Sequence, residues 1–546
     1  MRPSLPGGFP AIDVAVLLLY LAIVLWVGFQ AGKRPKTVEQ FALGGHRMPW
    51  WAVLGSLIAA ETSAAFFLGT PAEGYALGNY EYLQLSLGTV LARVVVAYLF
   101  VKPYFAYRVT SIYQFLDLRF GPKTKSAASA IFLLTRLLAS GARLYVAAIL
   151  PVLGVKLLRG GPVSAGEELS IYAASALLLT LFTTLYTVAG GIRAVIWTDL
   201  LQAGLMLSGG ILTLSLLFQK IPWGSSSPFR EAARLLSALP WAETGIDPQK
   251  NLWENLGSIF SSDYTIWAAL IGSTFTTMAT HGADQDLVQR LLTAKNHHRS
   301  RLSLILSGLT DVPLVFLFLT IGIFLGLLAR SAHDTRFPTQ ANEVYPYFIL
   351  CGTPPGIRGL LIAAIFATAM GSLSAALNAM ATSFCEDWAF RFLPAGSGDR
   401  AKLRLLRSAT VLFALLCVSI ACATASFVLH SPQSRILPIV LGLFGYTYGP
   451  LLGVFLLGVL TRNRGSDFGN CVAMAAGLGT VALLSGTPQG ILGLVSQADA
   501  DRLAWLPCVS FPWRVFVGSC STFLVGLCFR APAPAHPVVE EAESSL

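Results

Sequence analysis

The sequence from Trp50 to Gly69 reads WWAVLGSLIAAETSAAFFLG, and this stretch decides the fold. It has the roughly 20 apolar residues that a bilayer-crossing helix needs, yet the carboxylate of Glu61 lies near its middle. Small and hydroxyl-bearing residues around Glu61 allow the helix to break, and carbonyls freed beside a cavity suit a small hard cation. Close helix packing is the alternative explanation for the small residues. Because an acid at membrane depth is functional by default, we predict a broken helix beside a cavity.

The whole chain has the composition of a membrane protein. Of its 546 residues, 54% are hydrophobic and 12% are charged, about half the charged share of soluble proteins. Its formal charge of +10 comes from Lys and Arg in short clusters between apolar segments, a pattern that indicates a membrane rather than a nucleic-acid partner. Strand-like alternation is absent, which argues against a barrel. We therefore predict an all-α polytopic membrane protein of about thirteen helices. The predicted spans are 11–31, 50–73, 79–103, 124–156, 169–191, 194–218, 263–290, 301–329, 356–390, 405–429, 435–461, 468–488 and 511–530.

The loops between these spans predict the orientation of the chain. More than half of the 38 Lys and Arg residues fall in one alternating set of loops, and short basic loops stay in the cytoplasm. We expect a multi-pass protein of the plasma or inner membrane, with the N-terminus outside and the C-terminus in the cytoplasm. Residues 1–530 are predicted to form one transmembrane domain, and the Pro- and Glu-rich tail 531–546 to be disordered and cytoplasmic.

A second run of small and hydroxyl-bearing residues lies in the predicted span 356–390. Thr368, Gly371 and Ser372 follow the spacing i, i+3 and i+4, so they share one helical face. Together with backbone carbonyls they could form half of an oxygen cage for a sodium ion. A packing interface is the alternative for such a stretch.

Other polar residues inside the predicted spans need partners in the protein or in a substrate. Arg136 and Arg143 are seven residues apart and share a face, where each needs a carboxylate, a carbonyl or an anionic substrate. Ion pairs with Glu61, Glu81 or Asp199 are the structural alternative. The eight Cys form no CxxC pair, and the HExxH and GxSxG signatures of enzymes are missing. Further polar residues singled out in the spans are Gln84, His281, Asp284, Gln285, Asp286 and Gln289.

Five stretches of the chain resemble the sodium:solute symporter family, whose members take up solutes with sodium. They are FALGG at 41–45 with MPWW at 48–51, GGIRAVIWTDLLQ at 190–202, DQ at 284–285 with VQR at 288–290, GLLIAA at 359–364 with SLSAALN at 372–378, and GPLLGVFLLG at 449–458. Together they span nearly the whole chain in the order of the family.

The resemblance implies a leucine-transporter-like fold. Its five-plus-five inverted repeat would occupy 50–461, with the leader helix 11–31 before it and two trailing helices in 468–530. It also implies a sodium site formed by the carbonyls of Ala59, Thr62 and Thr368 and by the hydroxyl of Ser372. Glu61 would support the cation, and Asp199 would lie on its exit route. The chain departs from the family at Gly371, because the family usually has two adjacent hydroxyl residues where this chain has Gly371 and Ser372.

The resemblance implies less about the substrate. Tyr80-Glu81-Tyr82 is similar to a Tyr/Phe-Glu-Trp segment of the sugar-carrying branch, but that branch tends to have Gln where this chain has Phe66. An unpaired Arg136 would instead favour a carboxylate. The predicted substrate-binding residues are Ser63, Phe66, Glu81, Gln84, Arg136, Asp284 and Gln285.

These observations predict a sodium-driven symporter that imports a small polar organic solute by alternating access, with a sugar or sugar derivative favoured. The alternatives are a sodium- or proton-coupled symporter of a small carboxylate or amino acid, and a transporter-like receptor. We expect no enzymatic activity and no nucleic-acid or obligate protein partner. The expected partners are the solute, the sodium ion and the lipid bilayer.

Overall fold

Helices make up nearly all of the chain that the structure describes, and only two isolated β-bridges occur in that part. The computed structural model describes residues 10–32, 35–159, 163–223, 227–331, 337–394, 396–430, 436–486 and 508–530. The first ten helices are α1 (Ala11–Ala31), α2 (Val38–Leu43), α3 (Trp50–Glu61), α4 (Ala64–Leu77), α5 (Leu85–Leu99), α6 (Val101–Ala106), α7 (Tyr113–Arg119), α8 (Pro122–Arg159), α9 (Ala165–Lys220) and α10 (Pro228–Ala238). The others are α11 (Leu252–Ser261), α12 (Thr274–Gly282), α13 (Gln285–Leu292), α14 (His297–Ser331), α15 (Ala341–Gly352), α16 (Ile357–Phe384), α17 (Asp399–His430), α18 (Ile436–Leu460), α19 (Asp467–Leu484) and α20 (Phe511–Leu527).

The predicted break in the first core span is confirmed. Helices α3 and α4 meet at an angle of 58°. Thr62 leaves the helical conformation with φ −80° and ψ 65°, and Ser63 follows in an extended conformation. The sequence around Glu61 therefore does unwind at membrane depth, as its small and hydroxyl-bearing residues predicted.

A second break lies five spans later, where the sequence predicted one continuous helix over 263–290. That prediction was wrong. A π-helical turn at Ala268–Ser273 leads into α12, which ends at Gly282, and α13 begins at Gln285. Asp284 starts α13, because its carboxylate accepts a hydrogen bond from the Asp286 backbone N–H (2.8 Å). The two broken helices are the first spans of the two five-span halves. An inverted repeat predicts such a correspondence between its halves.

Gly191 divides the long helix α9 into two spans. With 56 residues, α9 would be more than twice as long as the bilayer core is thick, at about 1.5 Å per residue. Gly191 has φ 58° and ψ −152°, and a Cβ atom there would lie 2.5 Å from the Phe41 carbonyl oxygen. Only glycine fits this turn. The division agrees with the predicted spans 169–191 and 194–218.

The all-helical membrane fold is confirmed, although the exact number of spans stays a prediction. Within the described residues, eight helices are long and apolar enough to cross a membrane, and the bent pair α3 and α4 makes a ninth span. If α9 is counted as two spans and the shorter apolar helices are added, the number of spans comes closer to the predicted thirteen. The predicted disordered tail 531–546 and the end of the span 468–488 lie outside the described residues.

The leader helix α1 is fixed to α16, the central helix of the bundle. Asp13 is buried, and its carboxylate accepts hydrogen bonds from the backbone N–H groups of Gly356 (2.6 Å) and Gly359 (3.0 Å). These donors stand at the start of α16, where the helix itself provides no acceptors and its dipole favours an anion. Arg119 donates to the Thr461 carbonyl (2.7 Å), so the loops after α7 and α18 meet at one end of the bundle. This end, which carries the basic loops predicted to be cytoplasmic, is called the basic end below.

Candidate functional site

A cavity of about 200 Å³ lies between the two breaks. Helices α3, α4, α5, α8, α12, α13, α14 and α18 all contribute to its wall. Its apolar wall consists of Ala60, Ala65, Phe66, Tyr82, Leu85, Leu287, Val315 and Phe444. Its polar wall consists of Glu61, Ser63, Ser86, Thr89, Arg93, Arg136, Arg143, Thr276, Thr277, Thr280, His281, Asp286, Asp311 and Tyr448.

Glu61 joins the two breaks across the cavity. It is the last residue of α3, and its carboxylate binds both Arg93 of α5 and His281 of α12. The Arg93 Nε atom also lies 3.4 Å from the His281 Nε2 atom. The three side chains form a compact charged cluster, here called the Glu61 cluster, in which each residue contacts the other two.

Arg136 is neutralised by two acids of the second break. Its guanidinium binds Asp284, and its Nη1 atom lies 3.1 Å from the Asp286 carboxylate. The Tyr448 hydroxyl donates to Asp284 as well. From the sequence, Glu61, Glu81 or Asp199 were the alternative acid partners of Arg136. That prediction was wrong, because the partners are Asp284 and Asp286. Asp284 and Asp286 lie far away in sequence, and only the tertiary fold brings them to Arg136.

Asp286 also connects the cavity to a buried cluster around Asp199. One oxygen of Asp286 pairs with Arg136, and the other accepts from Arg290 Nη1 (2.8 Å). Arg290 in turn lies 3.1 Å from Asp199, which also accepts from the Ser56 hydroxyl (2.5 Å). A continuous path of buried charges therefore leads from the cavity wall to Asp199.

Two charged side chains of the cavity wall have no oppositely charged group within 4.0 Å in the part of the chain that the structure describes. Among the described residues, no carboxylate lies within 4.0 Å of the Arg143 guanidinium, which packs 5.2 Å from the centre of the Phe444 ring. In the same part of the chain, no basic nitrogen lies within 4.0 Å of the Asp311 carboxylate, which is 2.9 Å from the Thr89 hydroxyl. One positive and one negative group thus remain available in the cavity.

The comparisons with known proteins agree with this architecture. The model of the sodium:solute symporter family matches residues 41–477. The chain belongs to this family. It is 30% identical over 463 residues to the sodium/sialic acid symporter SiaT of Proteus mirabilis (strain HI4320), covering 84% of this chain and 87% of the relative. It is 28% identical to the sodium-coupled monocarboxylate transporter 2 of Mus musculus, covering 83% of this chain and 68% of the relative.

A solved structure shares the fold. It is the substrate-bound outward-open state of a Na⁺-coupled sialic acid symporter, which has a TM-score of 0.75 and 24% sequence identity. The match covers 95% of this chain and 98% of that one. The chain is therefore a sodium-coupled membrane transporter with the leucine-transporter-like fold, and not an enzyme. The family, the fold and sodium coupling are confirmed as the sequence predicted.

The predicted sodium ligands of this symporter lie on the first break and on the central helix. Thr62 stands at the break, and its hydroxyl donates to the Ile58 carbonyl (2.5 Å). The Ser372 hydroxyl lies 3.1 Å from the Thr368 carbonyl oxygen, so these two predicted ligands are neighbours. Ala59, like the other three, is buried. Their role as sodium ligands stays a prediction.

Gly371 lies beside two buried oxygen atoms. A Cβ atom at Gly371 would be 2.6 Å from Gln202 Oε1 and 3.4 Å from Asp199 Oδ1. Both oxygens are buried and have no hydrogen-bond partner in the structure. Gly371, where the sequence resemblance predicts a hydroxyl residue, therefore faces two oxygens that lack a donor.

The predicted substrate-binding residues divide into two groups. Ser63, Phe66 and Arg136 line the cavity, whereas Glu81, Gln84, Asp284 and Gln285 are not part of its wall. Gln84 donates to the carbonyls of Tyr264 and Glu81, and Gln285 accepts from the Ile112 backbone N–H (2.8 Å) and donates to the Thr110 carbonyl (2.9 Å). These contacts hold loops and helix ends in place.

Sequence reasoning did not single out Arg93 and Asp311. Both are charged residues inside predicted membrane spans, the same signal that selected Glu61. The same criterion, a charged residue inside a predicted span, would have identified Arg93 and Asp311 if it had been applied to every span.

Proposed function

We propose that this symporter imports a small organic acid, with a sugar acid favoured, and that Arg143 binds its carboxylate. The observation that carries the proposal is the Arg143 guanidinium, which lines the cavity and lacks an acid partner among the described residues. The other two cavity arginines are already neutralised, Arg93 by Glu61 and Arg136 by Asp284 and Asp286. A solute carboxylate is therefore expected at Arg143.

Physical chemistry favours this assignment. An unpaired charge at membrane depth is costly, and guanidinium groups bind carboxylates with two parallel hydrogen bonds. The Phe444 ring lies against the guanidinium and limits the directions from which a carboxylate can approach it. Relatives named for sialic acid and for monocarboxylates both carry acids, which supports the same class of substrate.

Sodium is proposed to bind between the first break and α16. The proposed ligands are the carbonyls of Ala59, Thr62 and Thr368 and the hydroxyl of Ser372. Support comes from the unwound backbone at Thr62 and from the neighbouring Thr368 and Ser372 oxygens. Glu61 and Asp199 supply negative charge close to this region.

The sodium ligands can be tested by substitution on α16. Ser372→Ala removes a hydroxyl ligand and should raise the sodium concentration needed for half-maximal uptake and for thermal stabilisation of the purified protein. Ser374→Ala is the matched control, because Ser374 is a buried serine on the same helix whose hydroxyl donates to the Gly371 carbonyl and is not a proposed ligand. An unchanged sodium requirement in Ser372→Ala would remove Ser372 from the site.

We further propose a plasma or inner membrane location with the N-terminus outside and the basic end in the cytoplasm. The excess of Lys and Arg in the loops of that end supports this orientation. Labelling of single cysteines introduced at loops of the two ends in intact cells would test it.

Transport assays test the substrate class. Purified protein in liposomes with an inward sodium gradient is offered sialic acid, gluconate, lactate and glucose in labelled form. We expect uptake of one or more acids, and Arg143→Gln should raise the KM for that acid about ten- to hundredfold. Arg514→Gln is the matched control, since Arg514 packs 5.7 Å from the Tyr446 ring and does not line the cavity. Uptake of glucose alone, or a KM unaffected by Arg143→Gln, would overturn the proposal.

A further inference from the structure

We infer that Asp311 is a second anchor for the solute and takes a hydrogen-bond donor, a hydroxyl or an ammonium group, on the part of the molecule away from its carboxylate. The inference rests on the proposed function, because it assigns the other end of the acid that Arg143 binds. It narrows the substrate class from organic acids in general to acids that also carry donors.

The first step is the balance of charges in the cavity wall. Its acids are Glu61, Asp286 and Asp311, and its arginines are Arg93, Arg136 and Arg143. Glu61 binds Arg93, and Asp286 binds Arg136. Asp311 and Arg143 remain, and neither has an oppositely charged atom within 4.0 Å among the described residues.

The second step is the position of Asp311 on α14. Its carboxylate is near the Thr89 hydroxyl of α5, 2.9 Å away, but Thr89 is equally close to the Ser86 carbonyl and has a single proton to donate. An ionised carboxylate accepts several hydrogen bonds and donates none. The Ser86 hydroxyl also hydrogen-bonds the Asp311 carboxylate. A carboxylate accepts about four hydrogen bonds, so acceptor sites of Asp311 remain for a solute.

Arg93 is the rival partner for Asp311. Its Nη2 atom is engaged by Glu61 and its Nε atom by His281, while its Nη1 atom is buried without a hydrogen-bond partner. If Asp311 served only to balance Arg93, its loss would weaken the protein or the binding of every solute alike. A solute anchor has a different signature, because its loss affects only solutes that carry donors.

The third step is the chemistry that satisfies both groups. A carboxylate at Arg143 and a donor at Asp311 require a hydroxylated acid or an amino acid. A short aliphatic acid would satisfy Arg143 and offer no donor to Asp311. Hydroxyl groups in the wall add partners for a hydroxylated solute. These are Ser63, Ser86, Thr89, Thr276, Thr277 and Thr280.

The test measures binding to the purified, sodium-saturated full-length protein. The probes are butyrate, which has a carboxylate alone, gluconate and sialic acid, which add hydroxyls, and γ-aminobutyrate, which adds an ammonium group. Asp311→Asn should weaken binding of the preferred donor-bearing acid about ten- to hundredfold and change butyrate binding less than threefold. Asp117→Asn is the control, since Asp117 pairs with Lys125 and is not part of the cavity wall.

The outcomes separate this inference from the proposed function. If Arg143→Gln weakens binding of all the acids and Asp311→Asn weakens binding of only the donor-bearing acids, the proposed function and the second anchor are both supported. If Asp311→Asn weakens binding of all the acids equally, or of none of them, Asp311 is not a second anchor. The carboxylate site at Arg143 is not contradicted by that result. If no acid binds, or if Arg143→Gln has no effect, the proposed function fails and the inference fails with it. A larger loss for γ-aminobutyrate than for gluconate would identify the donor as ammonium, and the reverse as hydroxyl.

Discussion

At the residue scale, Gly371 stands where the sequence resemblance leads us to expect a hydroxyl residue, and its surroundings are polar. Its Cα atom faces Gln202 Oε1 and Asp199 Oδ1, two buried oxygens without a donor. Buried acceptors of this kind cost free energy until a donor or a cation satisfies them. Gly371 therefore leaves two acceptors without a donor beside the proposed sodium ligand Ser372.

A serine at position 371 should supply the missing donor once its Cβ atom has displaced the flexible end of Gln202. Gly371→Ser adds a hydroxyl that can donate to either oxygen and can also face a cation, so we expect tighter sodium binding. A sodium titration of thermal stability measures the effect. Gly371→Ala carries the same Cβ atom, which must displace the flexible end of Gln202, but adds no oxygen. Equal sodium affinity in the serine and alanine variants would contradict the prediction.

At the element scale, the two broken spans are joined by side chains rather than by backbone. Glu61 ends α3, and His281 is one residue from the end of α12. Arg93 of α5 touches both. The Glu61 cluster thus fixes the two breaks and α5 relative to one another, and it connects the proposed sodium ligands Ala59 and Thr62 to the cavity wall.

A double-mutant cycle tests how strongly the cluster holds these elements. Glu61→Gln leaves Arg93 buried without an acid, and removing one partner of a buried ion pair costs about 3–5 kcal/mol. Arg93→Gln should lower the stability of the protein by a similar amount. The double variant Glu61→Gln/Arg93→Gln should lose clearly less stability than the sum of the two single changes. Thermal unfolding of the four purified proteins provides the comparison, and strictly additive losses would show that the two side chains act independently.

How far the sequence could predict these elements depends on whether a signal is local. The break at Thr62 follows from a run of small residues around one acid, so it was predictable. The break between α12 and α13 follows from the capping of α13 by Asp284, and a polar run at the end of a span looks the same with or without a cap. The partners of Arg136 were not predictable, because Asp284 is 148 residues away and only tertiary packing selects it.

At the scale of the whole molecule, one carboxylate lies between the solute site and the proposed sodium region. Asp286 gives one oxygen to Arg136 in the cavity wall and the other to Arg290. Arg290 binds Asp199, which lies beside Gly371 of α16. A change at either end of this path must redistribute the contacts of Asp286, which gives the two sites a physical route for coupling.

We predict that Asp286→Asn weakens this coupling. Asparagine keeps the size of the side chain but loses the charge that two arginines share. In the wild type, sodium should tighten solute binding, with typical coupling factors of about 5–150. In Asp286→Asn that factor should fall towards one, while each ligand still binds alone. Solute affinity measured with and without sodium gives the factor, with Asp117→Asn as the control. A factor equal to that of the wild type would exclude this route.

The charges of α13 also bear on how the chain is built into the membrane. Each charged residue at the centre of an inserting helix costs about 2.5–3.5 kcal/mol, and α13 has only eight residues, with Asp286 and Arg290 among them. Its partners are made much earlier, since Arg136 precedes Asp284 by 148 residues and Asp199 precedes Arg290 by 91. Helices α8 and α9 must therefore enter the bilayer before their counter-charges exist. We therefore expect these earlier helices to close into the final bundle only after α13 has been synthesised.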